Sequence, residues 1–217
     1  MAASIVHLAA GCEQISRHKH RWVLAGRIAA LALGGALLAG SLSACHPADS
    51  PQEQTASVGG PFQLVDQSGA PVTEAALKGK WSVVFFGYTF CPDVCPTTLT
   101  ALGRTVDQLG PKAANLRVVF ITVDPARDTP EKLKAYLTSP VFPKGVIGLT
   151  GTADQISKAA KTYKVFYQKA GTGSDYSMDH STALYLMDPR GRFNRVIANG
   201  VTPEEMARQI SDAMREG

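Results

Sequence analysis

The run Trp81-Ser82-Val83-Val84-Phe85-Phe86-Gly87 leads through Tyr88-Thr89-Phe90 into Cys91-Pro92-Asp93-Val94-Cys95, and then into Leu99, Leu102, Val106 and Leu109 at helical spacing. A nearly continuous apolar run of strand length has no polar face to offer water. Such a strand is buried on both sides, as in parallel sheets covered by helices. The chain must supply helices for two faces of a sheet, which restricts it to α/β architectures.

The other elements agree. Arg117–Val123 and Val146–Thr150 repeat the buried-strand pattern, and Thr129-Pro130-Glu131 opens a helix to Thr138 between them. Thr152 and Gln155 form a capping box ahead of a helix to Tyr163. Phe62–Asp66 and Pro71–Thr73 flank the turn signal Gln67-Ser68-Gly69, and Ala183–Met187 and Phe193–Ala198 flank Asp188-Pro189-Arg190-Gly191. Thr202-Pro203-Glu204-Glu205 reads as a second capping box, opening a helix with Met206, Ile210 and Met214 on one stripe. Strand–helix–strand–helix followed by a hairpin and a helix is a thioredoxin-like order. The expected fold is α/β, with a mixed central sheet flanked by helices. No repeat and no second linker interrupts residues 59–217, which read as one domain.

The segment before that body is of another kind. Arg17, Lys19, Arg21 and Arg27 precede Ile28–Gly40, which carries no charge. These are the n-region and h-region of a signal peptide. Leu42-Ser43-Ala44-Cys45 resembles the bacterial lipobox, whose cysteine is acylated and becomes the new N-terminus. Residues 1–44 are therefore expected to be a lipoprotein signal, Cys45 the lipidation site, and 45–58 a polar tether. The alternative is an uncleaved helix from Trp22 to Ala44 acting as a single transmembrane anchor. Both readings place the body on the periplasmic side of a bacterial membrane, where disulfides persist. Most of the formal charge of +4 belongs to the first 44 residues, leaving a net +1 for the rest. Nucleic acid is thereby excluded as a partner.

Of 4 cysteines and 5 histidines, only Cys91, Cys95 and His180 belong to the body once Cys12 leaves with the signal, Cys45 is acylated and His46 is assigned to the tether. The cysteine pair follows the carboxyl end of a strand, where open α/β sheets carry their active groups, and opens a helix, whose N-terminus favours thiolate. Two cysteines four apart on a helix share a face, so they can hold one ion or close a disulfide. A ring so short adds little stability, which disfavours a purely structural bridge. Ser177-Met178-Asp179-His180-Ser181 precedes a strand expected to lie beside the cysteine strand, and this makes His180 a candidate third ligand. Asp179 is the candidate for orienting its ring, and Met178 reads as a core residue. Two thiolates and one imidazole are too few for a closed structural zinc site. Soft sulfur favours Cu(I), imidazole also accepts Cu(II), and an open three-coordinate site suits handing the metal onward.

Three segments in this order, Gly87-Tyr88-Thr89-Phe90-Cys91-Pro92-Asp93-Val94-Cys95-Pro96, Thr122-Val123-Asp124-Pro125-Ala126-Arg127-Asp128-Thr129-Pro130 and Asp179-His180-Ser181 with Leu186-Met187-Asp188, resemble the Sco (SenC) family. The resemblance implies a thioredoxin-fold copper protein, carrying Cu(I) or Cu(II), that helps assemble the binuclear copper centre in subunit II of cytochrome c oxidase. It implies Cys91, Cys95 and His180 as the ligands, with Cys91 and Cys95 also forming a redox disulfide. It places Asp124 and Asp128 near the metal end, in copper release or docking, unless their turn and helix-start pattern is purely architectural. Other copper chaperones and thiol reductants are further expected partners. A metal-transfer protein is thus favoured over an enzyme. The rival reading is a thiol–disulfide oxidoreductase, against which stand the CxxxC spacing and a histidine where thioredoxins carry a cis-proline. A thiol peroxidase fits less well, because Thr89 lies two residues before Cys91 instead of in a TxxC arrangement.

Overall fold

The computed structural model describes residues 58–217. The expectations for the signal, for Cys45 and for nearly all of the tether lie outside the described residues. In chain order, β1 (Gln63–Asp66) and β2 (Pro71–Thr73) form a hairpin, followed by β3 (Trp81–Gly87), α1 (Val94–Leu109), β4 (Leu116–Thr122), α2 (Pro130–Leu137), β5 (Ile147–Thr150) and α3 (Ala153–Thr162). Then come β6 (Tyr167–Ala170), β7 (Ser177–His180), β8 (Leu184–Met187), β9 (Phe193–Ile197) and α4 (Pro203–Glu216).

Every residue of β3 is buried, as its composition requires. It pairs in parallel with β4 and antiparallel with β8, inside a sheet of order β2-β1-β5-β4-β3-β8-β9. A parallel core of β5, β4 and β3 is thus extended by one antiparallel hairpin at each edge. Helix starts follow side-chain capping. Thr129 accepts the Lys132 amide at α2, and Thr152 and Gln155 cap each other's backbone at α3. At α4 only half of the expected box forms. Thr202 accepts the Glu205 amide, whereas the Glu205 carboxylate turns to Arg208 and Gln209 along the helix.

One element escaped the sequence reading. β6 and β7 form a separate two-stranded hairpin outside the main sheet, and its last residue is His180. Of its eight strand residues only Met178 is buried, so hydrophobic alternation could not reveal it. The available signal was the turn chemistry of Gly171 and Gly173, both at positive φ (93° and 76°). Among the described residues no helix is long and apolar enough to cross a membrane.

α1 lies close to the loop after α2. A Cβ added at Gly103 would stand 2.5 Å from the Val141 carbonyl oxygen. Alanine there gains about 1 kcal/mol of helix propensity, but a backbone carbonyl cannot swing aside as a side chain can, and overpacking costs roughly 1–3 kcal/mol. Gly103→Ala should on balance lower unfolding stability, by up to about 2 kcal/mol; urea denaturation of the two proteins checks this, and a more stable variant would show that the loop yields freely.

Candidate metal centre

α1 starts without a side-chain cap. Asp93 occupies the N-cap position, but its side chain caps no backbone amide and instead accepts from the Thr97 hydroxyl. The Cys95 amide points at the Cys91 sulfur, 3.4 Å away. One of the free N–H groups of the first helical turn is therefore satisfied by a thiol. Cys95 is wholly buried, Cys91 half-buried, and both are free thiols. Cys95 can sit so deep because β3 ends in glycine. A Cβ on Gly87 would lie 2.8 Å from Cys95 Sγ and 2.8 Å from the Phe120 ring. Gly87 is a site residue that the sequence reading passed over; its only signal was a glycine closing an otherwise bulky strand.

His180 reaches the same point from the other side. β8 runs antiparallel to β3, with Leu184 opposite Phe85, so the residues just before β8 arrive at the carboxyl end of β3. His180 Nε2 stands 3.8 Å from Cys95 Sγ, and Nδ1 lies 2.9 Å from the Ser181 carbonyl oxygen. A carbonyl only accepts, so the hydrogen is assigned to Nδ1 and the Nε2 lone pair faces the thiol. The rings of Tyr88 and Phe85 wall the imidazole at centroid distances of 5.9 and 6.5 Å. Burial lowers the His180 pKa, against smaller raising effects from the Ser181 carbonyl and Asp179. The ring is thus neutral at pH 7, which is the ligand form. The ring-orienting partner is Ser181, not Asp179. Asp179 is exposed and acts on the imidazole only through its charge.

The two other candidate aspartates, Asp124 and Asp128, are buried, with their carboxylates turned to internal partners. Asp128 accepts the Thr89 amide (3.0 Å) and the hydroxyls of Thr89 and Thr122 (2.6 Å each). Asp124 accepts the Tyr176 hydroxyl (2.7 Å) and is ion-paired with Arg127. Asp128 ties the loop that carries Phe90 and Cys91 to β4, and Asp124 ties Arg127 to Tyr176. Met178 packs in the core, as expected.

Burial drives the Cys95 thiol well above the usual range, with the charges of Cys91 and Asp128 adding to the effect. A soft, protonated thiol and a neutral imidazole nitrogen therefore face each other, with a second, more accessible thiol on Cys91, which lies in the loop before α1 and not on the helix as the spacing suggested. Among the described residues no three His, Cys, Asp or Glu side chains already form a closed metal-binding cluster. The donor set, two sulfurs and one nitrogen, nonetheless suits a soft ion.

The sequence profile of the SCO1/SenC family matches residues 50–215. "Protein SCO2, mitochondrial" of Saccharomyces cerevisiae is 45% identical over 141 residues, which are 63% of this chain and 46% of that protein. The chain thus spans about half the length of this yeast relative. "Protein SenC" of Rhodobacter capsulatus is 43% identical over 157 residues, 72% of this chain and 70% of that one. The solved structure of Bradyrhizobium japonicum ScoI with copper bound is similar at 44% identity and a TM-score of 0.66, covering 72% of this chain and 99% of that one.

The difference in exposure has a chemical consequence. At neutral pH, iodoacetamide should label Cys91 while Cys95 reacts at least about tenfold more slowly, because alkylation needs an accessible thiolate. Peptide mass spectrometry reads the ratio. Equal labelling of the two thiols in the folded protein would contradict the buried, protonated Cys95.

Proposed function

The chain belongs to the SCO1/SenC family, and we propose that it is a copper carrier that takes the ion as cargo on Cys91, Cys95 and His180 and delivers it to the binuclear centre of cytochrome c oxidase subunit II. The observation that carries this reading is the 3.8 Å approach of Cys95 Sγ to the unprotonated nitrogen of His180. A similar protein, Bradyrhizobium japonicum ScoI, has been solved with copper bound.

The residues divide the work. His180 binds through Nε2 while Ser181 keeps the ring oriented through Nδ1. Cys95 gives up its proton as the metal enters, so uptake is coupled to proton release. An acceptor approaching from solvent meets the half-buried Cys91 and His180 before it meets the buried Cys95. Exchange therefore proceeds from the outer ligands inward, and Cys95 lets go last.

A second reading rests on the same asymmetry. An accessible thiol beside a buried one is the arrangement of an attacking and a resolving cysteine. Cys91 thiolate would attack a target disulfide, and Cys95 would then displace the reduced target, leaving a Cys91–Cys95 disulfide. Reduction of a target's copper-binding cysteines is compatible with copper delivery to it.

In the cell the body is held on the periplasmic side of the membrane through acylated Cys45, by way of the tether 45–58. This rests on the sequence pattern Leu42-Ser43-Ala44-Cys45. Attachment raises the local concentration of donor at a membrane-embedded acceptor.

Titration of the purified protein with Cu(I) and Cu(II) tests the ligand set. Wild type should bind one copper when reduced, the Cys91→Ser, Cys95→Ser double variant none tightly, and His180→Ala should keep Cu(I) while losing most Cu(II) binding. Apparent affinity should rise with pH, because the proton on Cys95 competes with the metal more strongly as pH falls. Full copper retention by the double variant would sink the proposal. Separately, mass spectrometry of the mature protein should find an acylated N-terminal Cys45; an intact segment 28–44 with Cys45 unmodified would mean a helical anchor.

A further inference from the structure

We propose that Arg127 is a latch that fastens the β6–β7 hairpin, and with it His180, to the cysteine loop, so that this one side chain sets how well the centre holds Cu(II). The proposal rests on the copper reading above, and goes beyond it by assigning a positioning residue that touches none of the three ligands.

The hairpin needs a fastening. It is not part of the main sheet, and of its strand residues only Met178 is buried. Its base is closed by two hydrogen bonds, the Ser181 amide to the Phe166 carbonyl and the Phe166 amide to the Ser181 hydroxyl oxygen. Midway along it, Met178 packs in the core and its backbone hydrogen-bonds Tyr88; toward its turn, Tyr176 and Ser174 rest on Arg127. The guanidinium lies 3.6 Å from the Tyr176 ring centroid, and Lys169 covers the same ring at 3.9 Å. Arg127 Nη1 donates to the Ser174 carbonyl at 3.3 Å. On its other side Arg127 lies 4.6 Å from the ring of Phe90, the residue before Cys91.

Asp124 fixes the arginine in turn. It pairs with Arg127 Nε and accepts the Tyr176 hydroxyl, so carboxylate, guanidinium and phenol close a three-way contact. Arg127 is only 13% exposed and Asp124 3%. In that setting stacking and charge pairing are stronger than at an open surface. Arg127 Nη2 is buried without a hydrogen-bond partner, so the group is placed by the stack, the ion pair and the Ser174 bond. A planar, always-charged side chain is required for this; lysine keeps the charge and loses the stack.

The mechanical consequence is selective. Cys95 is positioned by β3 and α1 and the loop carrying Cys91 by the Asp128 bonds, while Arg127 meets that loop by stacking, on the exposed Phe90 ring and beside Tyr88. His180 alone rides on the hairpin. Loosening the latch therefore removes order from the nitrogen ligand and leaves the two sulfurs in place. Cu(I), content with two thiolates, is little affected, whereas Cu(II) loses its nitrogen. Supporting residues around metal ligands are commonly worth about 10- to 100-fold in affinity.

Arg127→Lys is the first variant, because it keeps a cation beside buried Asp124. Hydrogen–deuterium exchange of the metal-free protein should show the amides of Tyr167–His180 exchanging about tenfold faster, with β3 and β4 unchanged. Cu(II) affinity should fall about tenfold with an altered absorption spectrum, and Cu(I) affinity should hold. Tyr176→Leu, which undoes the latch from the hairpin side while Arg127 and Asp124 stay paired, should reproduce both effects if Arg127→Lys fails to fold. Wild-type exchange in the hairpin, or an unchanged Cu(II) spectrum and affinity, overturns the proposal. A wild-type protein that takes up no copper overturns the reading of the site instead, and the exchange result then decides the latch by itself.

Discussion

A carboxylate buried under the cysteine loop holds the candidate centre together. Asp128 accepts three hydrogen bonds, from the Thr89 amide and hydroxyl and from the Thr122 hydroxyl, while its own carbonyl takes the Thr150 hydroxyl. It thus joins the ends of β4 and β5 to the loop after β3. A carboxylate wholly removed from water is costly unless its lone pairs are occupied, and here they are. Burial pushes its pKa up while the two threonines pull it down. With the loop fixed, Gly87 lets Cys95 Sγ settle against the end of β3, and the antiparallel return of β8 delivers His180 to the same place.

The resulting electrostatics favour a waiting, neutral site. Burial keeps the imidazole unprotonated and the Cys95 thiol protonated, so the metal-free pocket holds no isolated charge that would need solvent. A monovalent soft ion that displaces one thiol proton leaves the charge of the pocket unchanged, and only loss of the second proton makes it negative. Cys91, half-buried and hydrogen-bonded by the Cys95 amide, and the half-buried His180 give the centre its contact with solvent. A site that gives its ion away has reason to keep ligands within a partner's reach.

Much of this was legible in the residues. The apolar run Trp81–Gly87 read correctly as a doubly buried strand because no polar face breaks it, and the capping threonines at 129 and 152 marked helix starts because each satisfies an amide that nothing else can reach. Cys91, Cys95 and His180 stood out because the body holds no other thiol or imidazole. What stayed hidden depends on tertiary packing. The β6–β7 hairpin has almost no apolar face, so no periodicity announces it. Asp124 and Asp128 sit in a motif that also reads as a turn and a helix start, and only the fold shows both carboxylates buried against internal partners. The choice of Ser181 over Asp179 as the partner of the His180 ring is a matter of backbone geometry that a sequence does not display.

The central claim is that two sulfurs and one imidazole nitrogen meet at the carboxyl end of β3 to hold copper. X-ray absorption spectroscopy of the copper-loaded protein addresses it most directly, because it counts the ligand types around the ion without a variant. Fine structure fitted by two sulfurs and one imidazole nitrogen in the Cu(II) form is the predicted result. A first shell with no sulfur, or one built from several nitrogens and oxygens, would contradict the account.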